Sequence, residues 1–161
     1  MKRLAAALAL LLVACAASHG DVVRPAPNFD FAGTGKSLKS FRGQTVVLLF
    51  AQSAREKHFR EMVYRLKRLY SQFATERVIF VAAIENGPQE VESNIPFVLA
   101  ADPQKVAADY GVNGRYAIAV IGVDGNVDMI TSQLIAPERV RDMVFDNYES
   151  QDGSRKTLTD Q

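Results

Sequence analysis

The chain has 161 residues, 48% of them hydrophobic, and a formal net charge of +1 from 19 basic and 18 acidic residues. This length suits one domain with a proper core, and the near-neutral charge lacks the basic excess of nucleic-acid-binding proteins. Two histidines, His19 and His58, and one cysteine, Cys15, supply no metal-binding spacing. The sequence therefore predicts no nucleic-acid partner, no metal and no cofactor.

The N-terminus has the pattern of an export signal. Positive charge at Met1-Lys2-Arg3 precedes the uncharged apolar run Leu4–Val13, which is too short for a membrane-spanning helix of about 20 residues. Leu12-Val13-Ala14-Cys15 resembles a bacterial lipobox, which implies a lipoprotein signal peptide over 1–14 and lipidation of Cys15. We therefore expect an exported protein anchored by lipid in the cell envelope, at the periplasmic face of the outer membrane. The alternative is a plain signal peptide, with no special role for Cys15.

The first half of the chain predicts a tether followed by a strand and a helix. Residues 15–27 are mostly small or proline and are typical of a tether, and a domain is expected over 28–148. A short strand is expected over 28–31. Thr45–Ala51 is a continuous apolar run, typical of a strand buried on both faces. Ser53 is a candidate N-cap for a helix over Arg55–Ala74, whose apolar residues recur three and four positions apart.

The second half predicts four more strands and two helices before a polar tail over 149–161. In chain order these elements are a strand Val78–Ile84, a loop 86–94, a short strand Pro96–Ala100, a helix from Asp102-Pro103 to Gly111, a hairpin of Ala117–Val123 and Val127–Ile130, and a helix Ala136–Tyr148. This order indicates an α/β fold with helices on both faces of a mixed sheet. The first two crossovers are expected to be parallel and right-handed, with the antiparallel hairpin at one edge.

Several segments of the chain resemble the thioredoxin-like superfamily, in its branch of secreted redoxins and peroxiredoxins. Ala26–Phe31 is similar to the opening of that family, Phe50–Met62 to its active-site segment, and Asp102–Val112 to its second half. The resemblance implies a thioredoxin-like three-layer sandwich with a mixed central sheet. The chain also resembles a small thioredoxin-like domain of unknown function, found in bacterial exported proteins and in sushi-repeat matrix proteins. Members of that domain generally lack the redox cysteines.

The resemblance breaks at the redox site of the superfamily. The two cysteines of C-x-x-C would fall on Arg55 and His58, and the cis-proline on Tyr116, while no residue after Cys15 is a cysteine. This implies no catalytic residue and favours a non-catalytic module that binds an envelope protein or peptide, or that is structural. One alternative is a redoxin-type oxidoreductase or antioxidant factor, which the fold alone suggests.

A second alternative is a small-anion binder that uses Arg55, His58, Arg115 and Tyr116, because helix N-termini attract anions. We call these four residues the predicted corner. The resemblance implies that Arg55 and Arg115 lie within one ligand's width of each other. It also places Tyr116 after a peptide bond expected to be trans, since a cis bond before a non-proline residue costs about 2.5–4 kcal/mol.

Overall fold

The computed structural model describes residues 24–87 and 90–159, without the side chains of 151–159. The predicted signal peptide, Cys15 and the tether as far as residue 23 lie outside the described residues. A short 3-10 helix over Leu38–Phe41 precedes the regular elements. These are, in chain order, β1 (Thr45–Ser53), α1 (Lys57–Phe73), β2 (Val78–Asn86), β3 (Val98–Leu99), α2 (Pro103–Asp109), β4 (Tyr116–Ile121), β5 (Val127–Thr131) and α3 (Pro137–Thr159).

The strands form one mixed sheet in the order β3-β2-β1-β4-β5. β1 and β3 each pair parallel to β2, whereas β4 runs antiparallel to both β1 and β5. The predicted mixed sheet is therefore confirmed, with parallel pairing after the first two crossovers and the hairpin of β4 and β5 at one edge.

Alternation of side chains along β1 divides the core into two layers. Successive residues of a strand point to opposite faces of the sheet, and every residue of β1 from Thr45 to Ala51 is buried. Val47 and Leu49 belong to the cluster that α1 and α3 cover, and Val46 and Leu48 to the cluster that α2 and the N-terminal segment cover. The predicted three-layer sandwich is therefore confirmed.

The long helix α1 packs on the sheet through one apolar stripe. Its buried residues are Phe59, Met62, Val63, Leu66 and Phe73. Val140 and Val144 of α3 are fully buried in the same cluster. The register predicted for α1 is therefore confirmed.

The predicted strand over 28–31 is replaced by two isolated bridges, Asp30 with Ser37 and Phe31 with Ala100. A ladder cannot extend there because the chain turns directly after Phe31, through Gly33 and Gly35, both at positive φ. Phe31 is nevertheless buried in the core. The prediction for residues 28–31 was therefore wrong only in expecting regular strand pairing.

The last helix is longer than its sequence pattern indicated. The apolar periodicity ends near Tyr148, whereas α3 continues to Thr159. A polar helical segment has no apolar stripe and therefore no periodic signal. The predicted end of this helix near Tyr148 was therefore too early.

Candidate functional site

The loop between β1 and α1 meets the start of β4 at one edge of the sheet. Ala51 pairs with Tyr116, and the Gln52 amide donates to the Arg115 carbonyl at 3.0 Å. Residues 51–52 and residues 115–116 are thus neighbours, and the His58 ring at the start of α1 contacts the Tyr116 ring. The peptide bond between Arg115 and Tyr116 is trans, as predicted.

Glu56 caps the N-terminus of α1. Its carboxylate accepts a hydrogen bond from the Phe59 amide at 2.9 Å, and its carbonyl accepts from the Arg60 amide at 3.0 Å. The predicted N-cap, Ser53, was wrong because Ser53 still pairs with Asn86 in the ladder of β1 and β2. Arg55 consequently lies before the helix rather than in its first turn. A negative charge of the protein itself already occupies the positive end of the helix dipole.

Tyr116 fills the space beside the first turn of α1. It is 3% exposed, and its ring meets the His58 ring edge-on, with 5.9 Å between centroids. Burial raises the pKa of the phenol well above its usual value, and the nearby Glu56 carboxylate raises that pKa further. The Tyr116 hydroxyl is buried and has no hydrogen-bond partner among the residues that the structure describes. Tyr116 is therefore neutral at ordinary pH and unsuited to act as a base.

A groove of about 960 Å³ lies between α1 and the residues at and after the C-terminal end of β2. Its floor contains the buried residues Phe59 and Val63, and one wall is Arg60, Tyr64 and Lys67 of α1. The opposite wall belongs to the connection after β2. We call this the α1 groove; its full lining is Ser53, Ala54, Arg55, Phe59, Arg60, Val63, Tyr64, Lys67, Asn86, Gly87, Glu90, Val91 and Glu92.

The residues of the predicted corner are divided between two surfaces. Arg55 lines the α1 groove. It also lines a smaller adjoining pocket of about 400 Å³, whose lining includes Lys57. His58 and Tyr116 pack against each other instead, and neither lines the groove. Arg115 is exposed at the start of β4. A close approach of Arg55 to Arg115 stays a prediction.

The sequence analysis did not find the α1 groove. The clearest sequence signal for the groove was Tyr64, an aromatic residue that lies off the apolar stripe of α1. In the structure Tyr64 is 60% exposed and is the largest exposed hydrophobic side chain within the described residues. Tyr70 is only half-buried and packs edge-on against Phe80. The other wall, formed by Asn86, Gly87 and residues 90–92, carried no sequence signal because its position depends on tertiary packing.

Within residues 24–87 and 90–159, and for side chains only as far as residue 150, no group of three or more histidine, cysteine or acidic side chains is arranged to hold a metal ion. In the same ranges, no helix is both long enough and apolar enough to cross a membrane.

Comparison with solved structures identifies the same fold in redox proteins. A thiol:disulfide interchange protein from Bacteroides sp. matches with a TM-score of 0.63 and 19% identity, over 76% of this chain and 89% of that one. The 2-Cys peroxiredoxin of Plasmodium vivax gives 0.58 and 16%, over 81% and 96%. The exposed lipoprotein thioredoxin of Streptococcus pneumoniae gives 0.53 and 14%, over 77% and 96%. These identities show the fold alone.

The sequence itself places the chain in a family. A search of curated protein sequences finds no similar protein. The sequence model of the AhpC/TSA family, however, matches residues 22–130, which is more than half of the chain and includes β1 through β4. The chain therefore belongs to the AhpC/TSA family, in the redoxin branch of the thioredoxin-like superfamily.

Proposed function

We propose that this chain is a non-catalytic member of the AhpC/TSA family that binds another exported protein or a peptide at the cell envelope. The main support for the proposal is the identity of the residues at the family's active-site position. Arg55 and His58 stand where the resemblance places the two cysteines, and no cysteine follows Cys15. Neither side chain forms a disulfide, and neither supplies the thiolate that attacks a disulfide or a peroxide.

The residue at the cis-proline position also supports a loss of redox chemistry. Tyr116, at the position of the cis-proline, is buried against His58 and closes the space beside the helix. The alternative of a redoxin-type oxidoreductase rests on the fold and on the names of similar structures, a thiol:disulfide interchange protein and a peroxiredoxin. That chemistry requires a thiol, which this domain lacks.

A small-anion site at the predicted corner has less support than protein binding. Glu56 caps α1 with its own carboxylate, so an incoming anion meets a negative charge at the helix end. The only one of the four residues that lines the α1 groove is Arg55. We therefore favour a protein or peptide as the ligand.

The absence of redox activity is tested with a Cys15→Ser variant, which contains no thiol at all. We expect this variant to reduce insulin and to consume hydrogen peroxide no faster than buffer, with thioredoxin as the positive control. A rate clearly above buffer would overturn the non-catalytic assignment. Capture of an envelope protein by the folded variant, and not by the same protein after heat denaturation, would support the binding role.

The envelope location is proposed from the lipobox that Cys15 completes. The similar structure from Streptococcus pneumoniae is described as a lipoprotein, which agrees with such a location for this fold. We expect Cys15→Ser to move the protein from the membrane fraction to the soluble fraction of its host, because the lipid attachment is lost. The measurement is fractionation followed by immunoblotting, and a variant that stays with the membranes would refute lipidation at Cys15.

A further inference from the structure

We propose that the α1 groove binds an extended segment of a protein partner in which acidic residues alternate with apolar ones. This proposal rests on the proposed function, because it specifies the ligand class and the binding face of the same module.

The first argument is the concentration of charge on α1. Residues 55–68 contain six basic and two acidic residues, a net charge of +4 with His58 neutral, whereas the whole chain carries +1. Arg65 is paired with Glu61 at 2.8 Å. Within the described residues, Arg55, Arg60 and Lys67 form no ion pair, and all three line the groove. The α1 wall therefore offers cations that a ligand carboxylate can pair with.

The second argument is the apolar floor beneath those cations. Phe59 and Val63 lie at the bottom of the groove, Val91 lies on the far side, and the ring of Tyr64 stands at the rim. A flat anionic membrane surface would meet the cations but leave this floor empty. An apolar side chain between two carboxylates occupies it, and tyrosine is one of the residue types that contribute most to binding at protein interfaces.

The third argument is the polarity of the opposite wall. Glu90 and Glu92 line that side and repel a ligand that is acidic all around. In an extended segment, successive side chains point in opposite directions. Carboxylates at alternate positions therefore face the cations of α1, while the apolar residues between them face the other way, toward the floor and Val91, and bring no negative charge to Glu90 and Glu92.

The length of the site fits a short segment. Arg60 and Lys67 are seven positions apart on the helix, a rise of about 10 Å. About three residues of extended chain span this distance. The groove volume of about 960 Å³ is at the upper end of the range of about 300–1,000 Å³ usual for ligand sites.

The test uses a fluorescent peptide of about seven residues in which glutamate alternates with valine, titrated with the full protein and followed by fluorescence anisotropy. We expect R60E/K67E to weaken binding about tenfold or more, because two favourable charge pairs become repulsive. Tyr64→Ala is expected to weaken binding several-fold without any change of charge. All these side chains are exposed, so the melting temperature should stay unchanged.

The matched control is K39E/R42E, which makes the same change of charge at exposed residues near the 3-10 helix. That helix packs on the opposite face of the sheet through Leu38, so this variant should bind the peptide like wild type. A peptide with lysine in place of glutamate should bind at least about tenfold more weakly at low salt.

Equal weakening by both double variants would overturn the proposal, as would equal binding of the lysine peptide. Binding to phosphatidylglycerol vesicles without binding to the peptide would identify a membrane-facing surface and would also overturn it. None of these outcomes affects the proposed function, which does not depend on the face used. Conversely, redox activity of the Cys15→Ser variant would defeat the proposed function and leave the peptide affinities unaltered.

Discussion

Phe73→Ala is expected to lower the free energy of unfolding by about 3–5 kcal/mol, because the substitution opens a cavity in the layer between α1 and the sheet. Phe73 is 2% exposed in the last turn of α1. Its ring packs edge-on against Phe80 of β2, with 5.4 Å between centroids. Urea denaturation followed by circular dichroism gives the unfolding free energy of both proteins.

The control for this measurement is Tyr64→Ala on the same helix. Tyr64 is 60% exposed, so its truncation should change the unfolding free energy by less than about 0.5 kcal/mol. A Phe73→Ala protein as stable as the Tyr64→Ala protein would contradict the packing of α1 described above.

The sequence was sufficient to predict the elements that hold this core. In Thr45–Ala51 every residue is apolar or β-branched, a pattern that indicates burial on both faces, and the structure buries all seven residues. In α1 the spacing of Phe59, Met62, Leu66 and Phe73 identifies one face, and that face packs on the sheet. Both predictions succeeded because burial shows in the residues themselves, as a continuous apolar run in the strand and as a spacing of three and four in the helix.

Capping and isolated pairing could not be predicted in the same way. Ser53 is the commoner type of N-cap residue, yet β1 continues through it, and the Glu56 carboxylate takes the role. Conversely, Asp102 and Pro103 begin α2 as predicted, and the Asp102 side chain accepts from the Lys105 amide. The difference is that the end of β1 is decided by its neighbour β2 rather than by the local sequence.

The candidate site was predicted only in part. Alignment correctly placed His58 beside Tyr116, since this needed only the order of the strands. It could not show that Arg55 turns to the side of Arg60 and Tyr64 while His58 packs on Tyr116. That separation depends on where α1 begins and on the positions of residues 86–87 and 90–92, none of which a linear pattern records.

Tyr148→Phe is expected to lower the free energy of unfolding by about 1–3 kcal/mol, because it removes one hydroxyl that joins three elements. That hydroxyl donates to the Arg77 carbonyl just before β2 and accepts from the Thr45 amide, at 3.2 Å, at the start of β1. Thr45 is fully buried, and a buried amide that loses its acceptor destabilises the folded state.

Tyr64→Phe is the matched control, because it removes an exposed tyrosine hydroxyl from a helix and should leave stability within about 0.5 kcal/mol of wild type. In the Tyr148→Phe protein, faster hydrogen exchange is expected at the Thr45 amide, since that amide loses its acceptor. Exchange at Val47 and Leu49 should change only as far as global stability does. Unchanged protection of Thr45 would contradict the contact, and would assign any loss of stability to packing around the ring.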